Sequence, residues 1–301
     1  MTTSYDVIII GGSYAGLSAA LGLGRALKQV LVLDSGAPCN RQTPHSHNFL
    51  THDGATPAAI AATARAEVQL YATVHFKKGI AIKGQANEEG FHIETAAGEH
   101  FQAKKLLFAT GVVDEMPAIK GFAESWGISV LHCPYCHGYE VRNTPTGILA
   151  NGEVAFEFAR LISNWTKALT LFTNGIATLP AEQLEKISAN RIAVNDKEIL
   201  EITQVQGRIH QLIFKDGTWQ SINVLYARPP FRQHCTIPET LGCQLTATGH
   251  IEVNLSQQTS VPGVFAAGDT TTPSRSLSVA VAAGTAAAAT INRELVAAAF
   301  G

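Results

Sequence analysis

Long hydrophobic runs are missing from this sequence of 301 residues. Apolar stretches such as residues 7–10 are far shorter than the roughly 20 residues that a membrane-spanning helix needs. Charge is also scarce: charged residues make up 15% of the chain, the formal net charge is −2, and no basic block or basic helix occurs. A polyanion would therefore find no complementary surface. We expect a protein that neither spans a membrane nor binds nucleic acid.

The N-terminal residues also lack the basic segment and small-residue cleavage site of a signal peptide, so we expect a cytoplasmic protein whose thiols stay reduced. Hydrophobic residues, at 46%, are numerous enough for a packed core. Structural disulfides are rare in the cytosol, so the close pair Cys133 and Cys136 is expected to be catalytic or metal-binding. The other cysteines are expected to be ordinary small buried residues: Cys39, Cys235 and Cys243.

Strand patterns alternate with helical patterns along the chain. Residues 5–10 and 30–33 have the continuous apolar character of strands in a parallel sheet, and residues 17–27 between them are rich in Ala and Leu. A similar strand–turn–helix start recurs at residues 147–162, about 140 residues further on. Such internal duplication indicates an α/β protein with two domains of the nucleotide-binding type.

The domain boundaries follow from this repeat. Residues 1–118 and 245–301 are predicted to form the first domain, and residues 119–244 form a second domain inserted into it. Near the C-terminus, short strands are expected at residues 251–253 and 264–266, followed by a long Ala-rich helix.

The turn between the first predicted strand and helix has the sequence Gly11-Gly12-Ser13-Tyr14-Ala15-Gly16. Its first Gly permits the tight turn and its last permits close packing of helix on strand, while backbone N–H groups at the helix N-terminus face a pyrophosphate. Ser13 replaces the middle Gly of the usual pattern and is small enough for close backbone approach. Asp34 ends the next strand, where a carboxylate accepts a hydrogen bond from a ribose hydroxyl. This segment predicts dinucleotide binding.

The second motif is Cys133-Pro134-Tyr135-Cys136. This spacing suits a redox-active disulfide, and it can also supply two zinc ligands. We favour the redox pair over a metal site because the chain has no second CxxC to complete a zinc tetrahedron. The nucleophile of such a pair is a thiolate, which requires a lowered pKa. His137 is a candidate proton carrier and Glu140 a candidate to orient it, although both could be ordinary loop residues.

Two further segments belong with these motifs: Ala109-Thr110-Gly111, and a C-terminal strand that ends in Gly268-Asp269. Together with the glycine-rich turn and the CPYC sequence, they make the whole chain resemble the low-molecular-weight thioredoxin reductases. The resemblance implies two Rossmann-like, three-layer domains, FAD in the first, and a homodimer. It also implies that Cys133 attacks a dithiol or disulfide partner, either a small molecule or a thioredoxin-like protein, while Cys136 faces the flavin. In thioredoxin reductases an Asp follows the second Cys, whereas this sequence has His137.

The resemblance also implies which residues contact the flavin nucleotide. These candidates lie in the first turn, after the second strand, in the following polar loop and at the later strand ends: Gly11, Ser13, Tyr14, Ala15, Gly16, Asp34, Ser35, Arg41, Asn48, Thr110, Gly111, Gly268, Asp269, Ser278 and Val279.

The inserted domain departs from the reductase pattern. Where NADPH-binding members have Gly-x-Gly-x-x-Ala, this chain has Ala150 in place of the first Gly and a carboxylate, Glu153, where pyrophosphate would lie. Residues 172–175 carry none of the basic side chains that bind the 2′-phosphate of NADPH. Arg228 and Arg232 come later and could compensate. NADPH binding is therefore doubtful.

These departures, with the loop at residues 44–50 and the segment at residues 164–166, resemble the FAD-dependent dithiol oxidases that close disulfides in gliotoxin- and holomycin-type natural products. The resemblance implies a dithiol oxidase that passes electrons to oxygen, or a related enzyme that takes electrons from ferredoxin. Two alternatives remain at this stage: an NADPH-dependent thioredoxin reductase with a divergent phosphate site, and a flavin-binding protein with no disulfide chemistry.

Overall fold

The structure is a computed structural model that describes residues 3–301. The chain forms two compact units. The first contains the residues up to Arg41, Pro57–Val113 and Phe231–Gly301, and the second contains Gln42–Thr56 and Asp114–Pro230. The predicted α/β architecture, with one Rossmann-like domain inserted into another, is confirmed.

The elements of the first half of the chain are β1 (Thr3–Ile10), α1 (Tyr14–Arg25), β2 (Val30–Asp34), α2 (Pro57–Gln69), β3 (Val74–Lys78), β4 (Ala81–Asn87), β5 (Gly90–Thr95), β6 (His100–Phe108), β7 (Val112–Asp114), α3 (Phe122–Ser125), β8 (Val130–Leu131), α4 (Pro134–His137) and β9 (Thr146–Leu149). Those of the second half are α5 (Glu153–Ile162), β10 (Leu169–Phe172), α6 (Ala181–Ala189), β11 (Ala193–Asn195), β12 (Ile199–Val205), β13 (Arg208–Phe214), β14 (Trp219–Ser221), β15 (Val224–Ala227), β16 (Phe231–Gln233), α7 (Ile237–Thr240), β17 (Val264–Ala266) and α8 (Leu277–Phe300).

The main sheet of the first unit has the strand order β3-β2-β1-β6-β5-β4, with β17 paired to β6. Strands β1, β2, β3, β6 and β17 run parallel, and β4 and β5 join antiparallel at the edge. The central strands are apolar throughout because both of their faces are buried, as in Val7–Ile10. Helix α8 packs closely on α1, since a Cβ at Gly284 would lie 2.1 Å from the Ala15 carbonyl oxygen. The parallel strands bring their carboxyl ends to one edge of the sheet.

The second unit has its own parallel sheet, in the order β11-β10-β9-β15-β8, and a small antiparallel sheet of β12, β13 and β14. Helix α5 packs on the parallel sheet through buried Ala155, Phe158 and Ile162, which recur at helical spacing. Strand β8 is short and leads directly into the CPYC segment. The edge strand β8 therefore positions the two cysteines.

The units change between Pro230 and Phe231, whereas the sequence placed this boundary at 245. Ile237 and Cys243 explain the difference, because both are buried in the core of the first unit beside Ile8. The predicted strand at residues 251–253 is absent; within residues 3–301, Ile251 forms only an isolated bridge with Leu245. No helix in that described range combines the length and apolarity needed to cross a bilayer.

Candidate active site

The glycine-rich turn between β1 and α1 is built from backbone contacts that only glycine allows. Gly11 has φ +107°, and a Cβ there would lie 2.2 Å from the Ala109 carbonyl oxygen. A Cβ at Gly16 would lie 1.9 Å from the Gly11 oxygen. Ser13 is the N-cap of α1, yet its side chain accepts no capping hydrogen bond. The N–H groups of the first helical turn are thus presented to an anion at this sheet edge.

Asp34 lies beside this turn at the end of β2. Its Oδ1 accepts a hydrogen bond of 3.1 Å from the Gly12 N–H, which fixes the carboxylate where a nucleotide ribose binds in such folds. Ser35 follows directly. Arg41 lies further along the loop, where its Nη1 donates to the Pro38 carbonyl over 3.2 Å. Tyr14 is buried in α1, and its hydroxyl donates to the Pro57 carbonyl over 3.1 Å.

The remaining predicted flavin contacts follow β6 and β17 at the same sheet edge or lie at the start of α8. The Thr110 hydroxyl is buried and has no hydrogen-bond partner among the described residues. Gly111, at φ +65°, has no described atom within 4 Å of the position of a Cβ. Asp269 lies 3.5 Å from Arg275 and follows Gly268, whose Cβ position is 3.0 Å from the Ala15 Cβ. Ser278 and Val279 lie in the first turn of α8, where the Val279 N–H donates to the Ser276 hydroxyl over 3.2 Å.

Asn48 lies in the loop Gln42–Thr56, which clusters with the second unit. Its backbone N–H donates to Asp53 Oδ1 over 2.7 Å at a positive φ of 59°. The structure therefore gives Asn48 a role in shaping this loop.

In the second unit, Cys133 is the N-cap of α4 and Pro134 occupies the first helical position. The two sulfur atoms lie 2.6 Å apart, with the Cys136 S–H donating to Cys133 Sγ. Both cysteines are partly accessible to solvent. Among residues 3–301, no group of three or more His, Cys, Asp or Glu side chains could hold a metal ion. The arrangement supports thiol–disulfide exchange at this pair.

The pKa of Cys133 is lowered to about 7, chiefly because it accepts the hydrogen bond from Cys136. Burial opposes this shift, while the backbone N–H groups of Cys136 and Tyr135 and the charge of Arg228 favour the thiolate. Cys133 is therefore substantially ionised at neutral pH, which makes it the better nucleophile of the pair.

His137 ends α4. Burial lowers the pKa of its imidazole to about 4, and the nearby charge of His47 adds to the effect. The ring is neutral at physiological pH, and a pKa this low makes it a weak base toward a thiol. Glu140 contacts His47 instead, with 3.6 Å between Oε1 and Nδ1, and no hydrogen bond joins it to His137 among the described residues. Asp53 lies at the same distance from His47 Nδ1.

Sequence reasoning missed Tyr226. This residue is 1% exposed, and its hydroxyl has no hydrogen-bond partner in the described part of the chain. Burial raises the pKa of the phenol above its usual range, and the charges of Cys133, Glu140 and Cys136 raise it further. The hydroxyl therefore stays protonated as a donor near the two sulfurs. Its sequence signal is weak, because Tyr in a buried strand is common.

Residues 5–287 match the family model of the pyridine nucleotide-disulphide oxidoreductases. The chain belongs to this family. It is similar to the thioredoxin reductase sirT of Leptosphaeria maculans, with 31% identity over 96% of this chain and 93% of the relative. The thioredoxin reductase tcpT of Claviceps purpurea is 35% identical, over 89% and 88% respectively. A solved structure of an oxidoreductase from Agrobacterium tumefaciens is similar with a TM-score of 0.91 and 38% identity, covering 98% of this chain and 99% of that one.

Family membership confirms the predicted resemblance to thioredoxin reductases and an oxidoreductase activity on sulfur groups. FAD is the cofactor of this family. The first unit fits it: the uncapped N-terminus of α1 can hold a pyrophosphate, Asp34 a ribose, and the unpartnered Thr110 hydroxyl needs a polar partner.

The corresponding turn of the second unit, between β9 and α5, does not fit the other nucleotide of the family. The Asn151 side chain fills it: Oδ1 accepts from the N–H groups of Gly152 (2.9 Å) and Thr178 (2.8 Å), and Nδ2 donates to the Ile176 carbonyl over 2.9 Å. Those N–H groups are thus directed at the amide and not at a phosphate. Glu153, exposed in the first turn of α5, adds a negative charge.

The loop after β10 offers no replacement for the missing basic residues. Asn174 Oδ1 accepts the Ile199 N–H over 2.7 Å, so it stabilises its own turn at φ +52°. Arg228 stacks on the Phe158 ring, with 4.0 Å from Cζ to the ring centroid, and Arg232 lies on β16 in the first unit. The second unit therefore retains the family fold without the phosphate contacts of NADPH.

Alkylation of reduced enzyme by iodoacetamide should report the pKa of Cys133. We expect its labelling rate to rise with pH through a midpoint near 7. Cys136→Ala removes the S–H donor, so this midpoint should move up toward the ordinary thiol value. Cys136→Ser retains a hydroxyl donor and should stay close to wild type. Mass spectrometry of the Cys133 peptide measures this labelling. If the midpoint were unchanged in Cys136→Ala, the hydrogen bond from Cys136 would not be the cause of the lowered pKa.

Proposed function

We propose that this protein is an FAD-dependent dithiol oxidase that does not use NADPH. Two features together support the proposal. Cys133 and Cys136 form a close pair suited to redox chemistry, and the Asn151 side chain fills the turn between β9 and α5 where NADPH phosphates would bind. The family fold supplies the flavin site, while the pyridine nucleotide site lacks its phosphate contacts. Electrons therefore enter from a dithiol substrate.

The exchange begins with the pair as a disulfide. One substrate thiolate attacks Cys133, forming a mixed disulfide and releasing Cys136 as a thiolate. The second substrate thiolate attacks the substrate sulfur of that mixed disulfide, so the substrate leaves as a disulfide and Cys133 leaves as a thiolate. Two electrons have passed to the pair, and the two thiol protons pass to nearby bases and water.

The side chains around the pair support these steps. His137 is neutral and, with a pKa of about 4, a weak base, so water takes the proton of an attacking substrate thiol. Tyr226 stays protonated and can donate a hydrogen bond to a thiolate as charge develops. Arg228 stabilises Cys133 as a leaving thiolate. FAD held by the first unit would supply the two-electron acceptor for the reduced pair, with dioxygen as the final oxidant, reduced to hydrogen peroxide.

The proposal includes a homodimer, which the thioredoxin reductase resemblance supports, and a location in the cytoplasm. It also assigns Gly11, Asp34, Thr110 and Asp269 to the flavin nucleotide, and this is supported by their common position at one sheet edge. Light scattering on the holoenzyme would test the dimer.

An oxygen electrode tests the activity. With dithiothreitol as the substrate and no NADPH, the holoenzyme should consume oxygen and form hydrogen peroxide in proportion to oxidised dithiol. 2-Mercaptoethanol at the same thiol concentration should turn over far more slowly, because a monothiol cannot resolve the mixed disulfide intramolecularly. Oxygen consumption only on addition of NADPH would overturn the proposal in favour of a reductase; dithiol oxidation only with added ferredoxin would overturn dioxygen as the acceptor.

A further inference from the structure

An open groove of about 640 Å³ lies beside the redox pair in the second unit. We call it the Trp165 groove, and its main lining residues are Tyr135, Phe158, Leu161, Asn164, Trp165 and Arg228. Its volume falls within the range of small-molecule sites. Tyr135 stands between the two cysteines in the chain, so a ligand in this groove lies against α4. Neither the family comparison nor the proposed oxidase chemistry assigns a role to this groove.

The walls of the Trp165 groove are aromatic. Tyr135 is 63% exposed, and its ring meets Trp165 edge to face with 5.7 Å between centroids. Trp165 also packs on the end of α4, since a Cβ at Gly138 would lie 2.8 Å from Nε1. The exposed Tyr135 ring and the partly exposed Trp165 ring offer an apolar surface to the body of a small ligand.

The charge of the groove is concentrated on Arg228. Two other ionised groups, Arg160 and Glu157, lie in the groove but pair with each other over 2.5 Å. Arg228 stacks on Phe158 and forms no hydrogen bond or ion pair with another described residue. A guanidinium placed over a ring in this way has N–H groups free to pair with a carboxylate, whose geometry the planar fork matches. The same charge acts on Cys133, so the fork and the nucleophile are close.

We propose that the Trp165 groove binds the dithiol substrate, and that this substrate is a small molecule carrying a carboxylate. Its carboxylate pairs with Arg228, its body packs on Trp165 and Tyr135, and its thiols reach Cys133. This inference rests on the proposed dithiol oxidase function. It selects a small molecule over a thioredoxin-like protein, because a single unpaired cation in a groove of this volume suits one anionic group.

Dihydrolipoate and dihydrolipoamide test the role of Arg228, because these two dithiols differ only in the carboxylate. The wild type should favour dihydrolipoate in kcat/KM by about tenfold or more, mainly through KM, as expected for a charge-assisted pair. Arg228→Met should reduce this ratio to about one, and Arg228→Lys should keep part of it. Using the ratio cancels any effect of Arg228 on Cys133, which both substrates share.

Arg142→Met is the matched control. Arg142 also stacks on an aromatic ring, Tyr139 at 3.9 Å, but it does not line the groove, so this variant should keep the wild-type ratio. If Arg228→Met were active and kept the wild-type ratio of kcat/KM for the two dithiols, the groove would not be the carboxylate site. The proposed oxidase function would be unaffected by that result. The groove proposal would also be contradicted if the enzyme oxidised a thioredoxin faster than either small dithiol and if Trp165→Leu left KM unchanged.

A binding measurement separates the two proposals. Calorimetric titration of lipoate, the disulfide form of the probe, into the Cys133→Ser/Cys136→Ser holoenzyme reports the groove without turnover. If Arg228→Met weakened lipoate binding in this background, the groove would be supported as the binding site. If the wild type then failed to oxidise dithiols, the oxidase function alone would be overturned. Equal lipoate binding with and without Arg228 would contradict the proposal that the groove binds the carboxylate.

Discussion

Cys133→Ser and Cys136→Ser should each abolish dithiol-dependent oxygen consumption, lowering kcat by about three orders of magnitude or more. Neither variant can form the enzyme disulfide that accepts substrate electrons, although both should retain FAD. The measurement is steady-state turnover of flavin-loaded enzyme. Cys39→Ser is the matched control because Cys39 is exposed in the first unit and outside the pair, so it should turn over at the wild-type rate.

The two variants should differ in how they trap a disulfide. Reduced Cys136→Ser still carries Cys133, whose pKa is about 7 in the wild type, so it should form a stable mixed disulfide with 2-hydroxyethyl disulfide, whose displaced 2-mercaptoethanol diffuses away. Cys133→Ser should form this adduct much more slowly, since the remaining Cys136 is not the favoured nucleophile. Intact-mass spectrometry measures the adduct. Faster trapping by Cys133→Ser would reverse the assigned roles.

Gly11→Ala should cause the largest structural effect. The new Cβ would overlap the Ala109 carbonyl, with 2.2 Å between the atoms, at a φ of +107° that favours glycine. Since the overlapping atom is backbone, the turn must shift, and the pyrophosphate cradle shifts with it. We expect most of the bound FAD to be lost, as measured by the flavin absorbance per protein chain.

Gly98→Ala separates backbone strain from this overlap. Gly98 also has a positive φ, +75°, but no described atom lies within 4 Å of its Cβ position. It should cost about 1 kcal/mol of folding free energy and retain FAD. Gly11→Ala should cost at least about 2 kcal/mol more in the free energy of unfolding of the holoenzyme. Equal costs, with FAD bound in both, would contradict the account of the turn.

The sequence predicted those features that depend on local pattern. The strand–turn–helix start around Gly11 and the CPYC pair both consist of residues close in the chain, so their spacing alone indicates their geometry. The missing Gly at position 150 also signalled a changed turn. What fills that turn was not predictable, because the Asn151 side chain bonds to Thr178, which belongs to another loop.

Residues that meet only through tertiary contacts were missed or misplaced. Tyr226 lies beside α4 because β15 pairs with β8. The sequence of either strand alone does not indicate which strand it pairs with. Arg228 was considered for a phosphate, but its stacking on Phe158 depends on where α5 packs. The boundary at 245 was misplaced for the same reason, since Ile237 joins a core built from distant strands.

Anaerobic stopped-flow reduction of the bound flavin tests the central claim most directly. Dihydrolipoate should bleach the flavin absorbance in a saturable reaction that requires both Cys133 and Cys136, whereas NADPH at micromolar concentration should leave it oxidised over the same period. Rapid bleaching by NADPH, with none by the dithiol, would contradict the account.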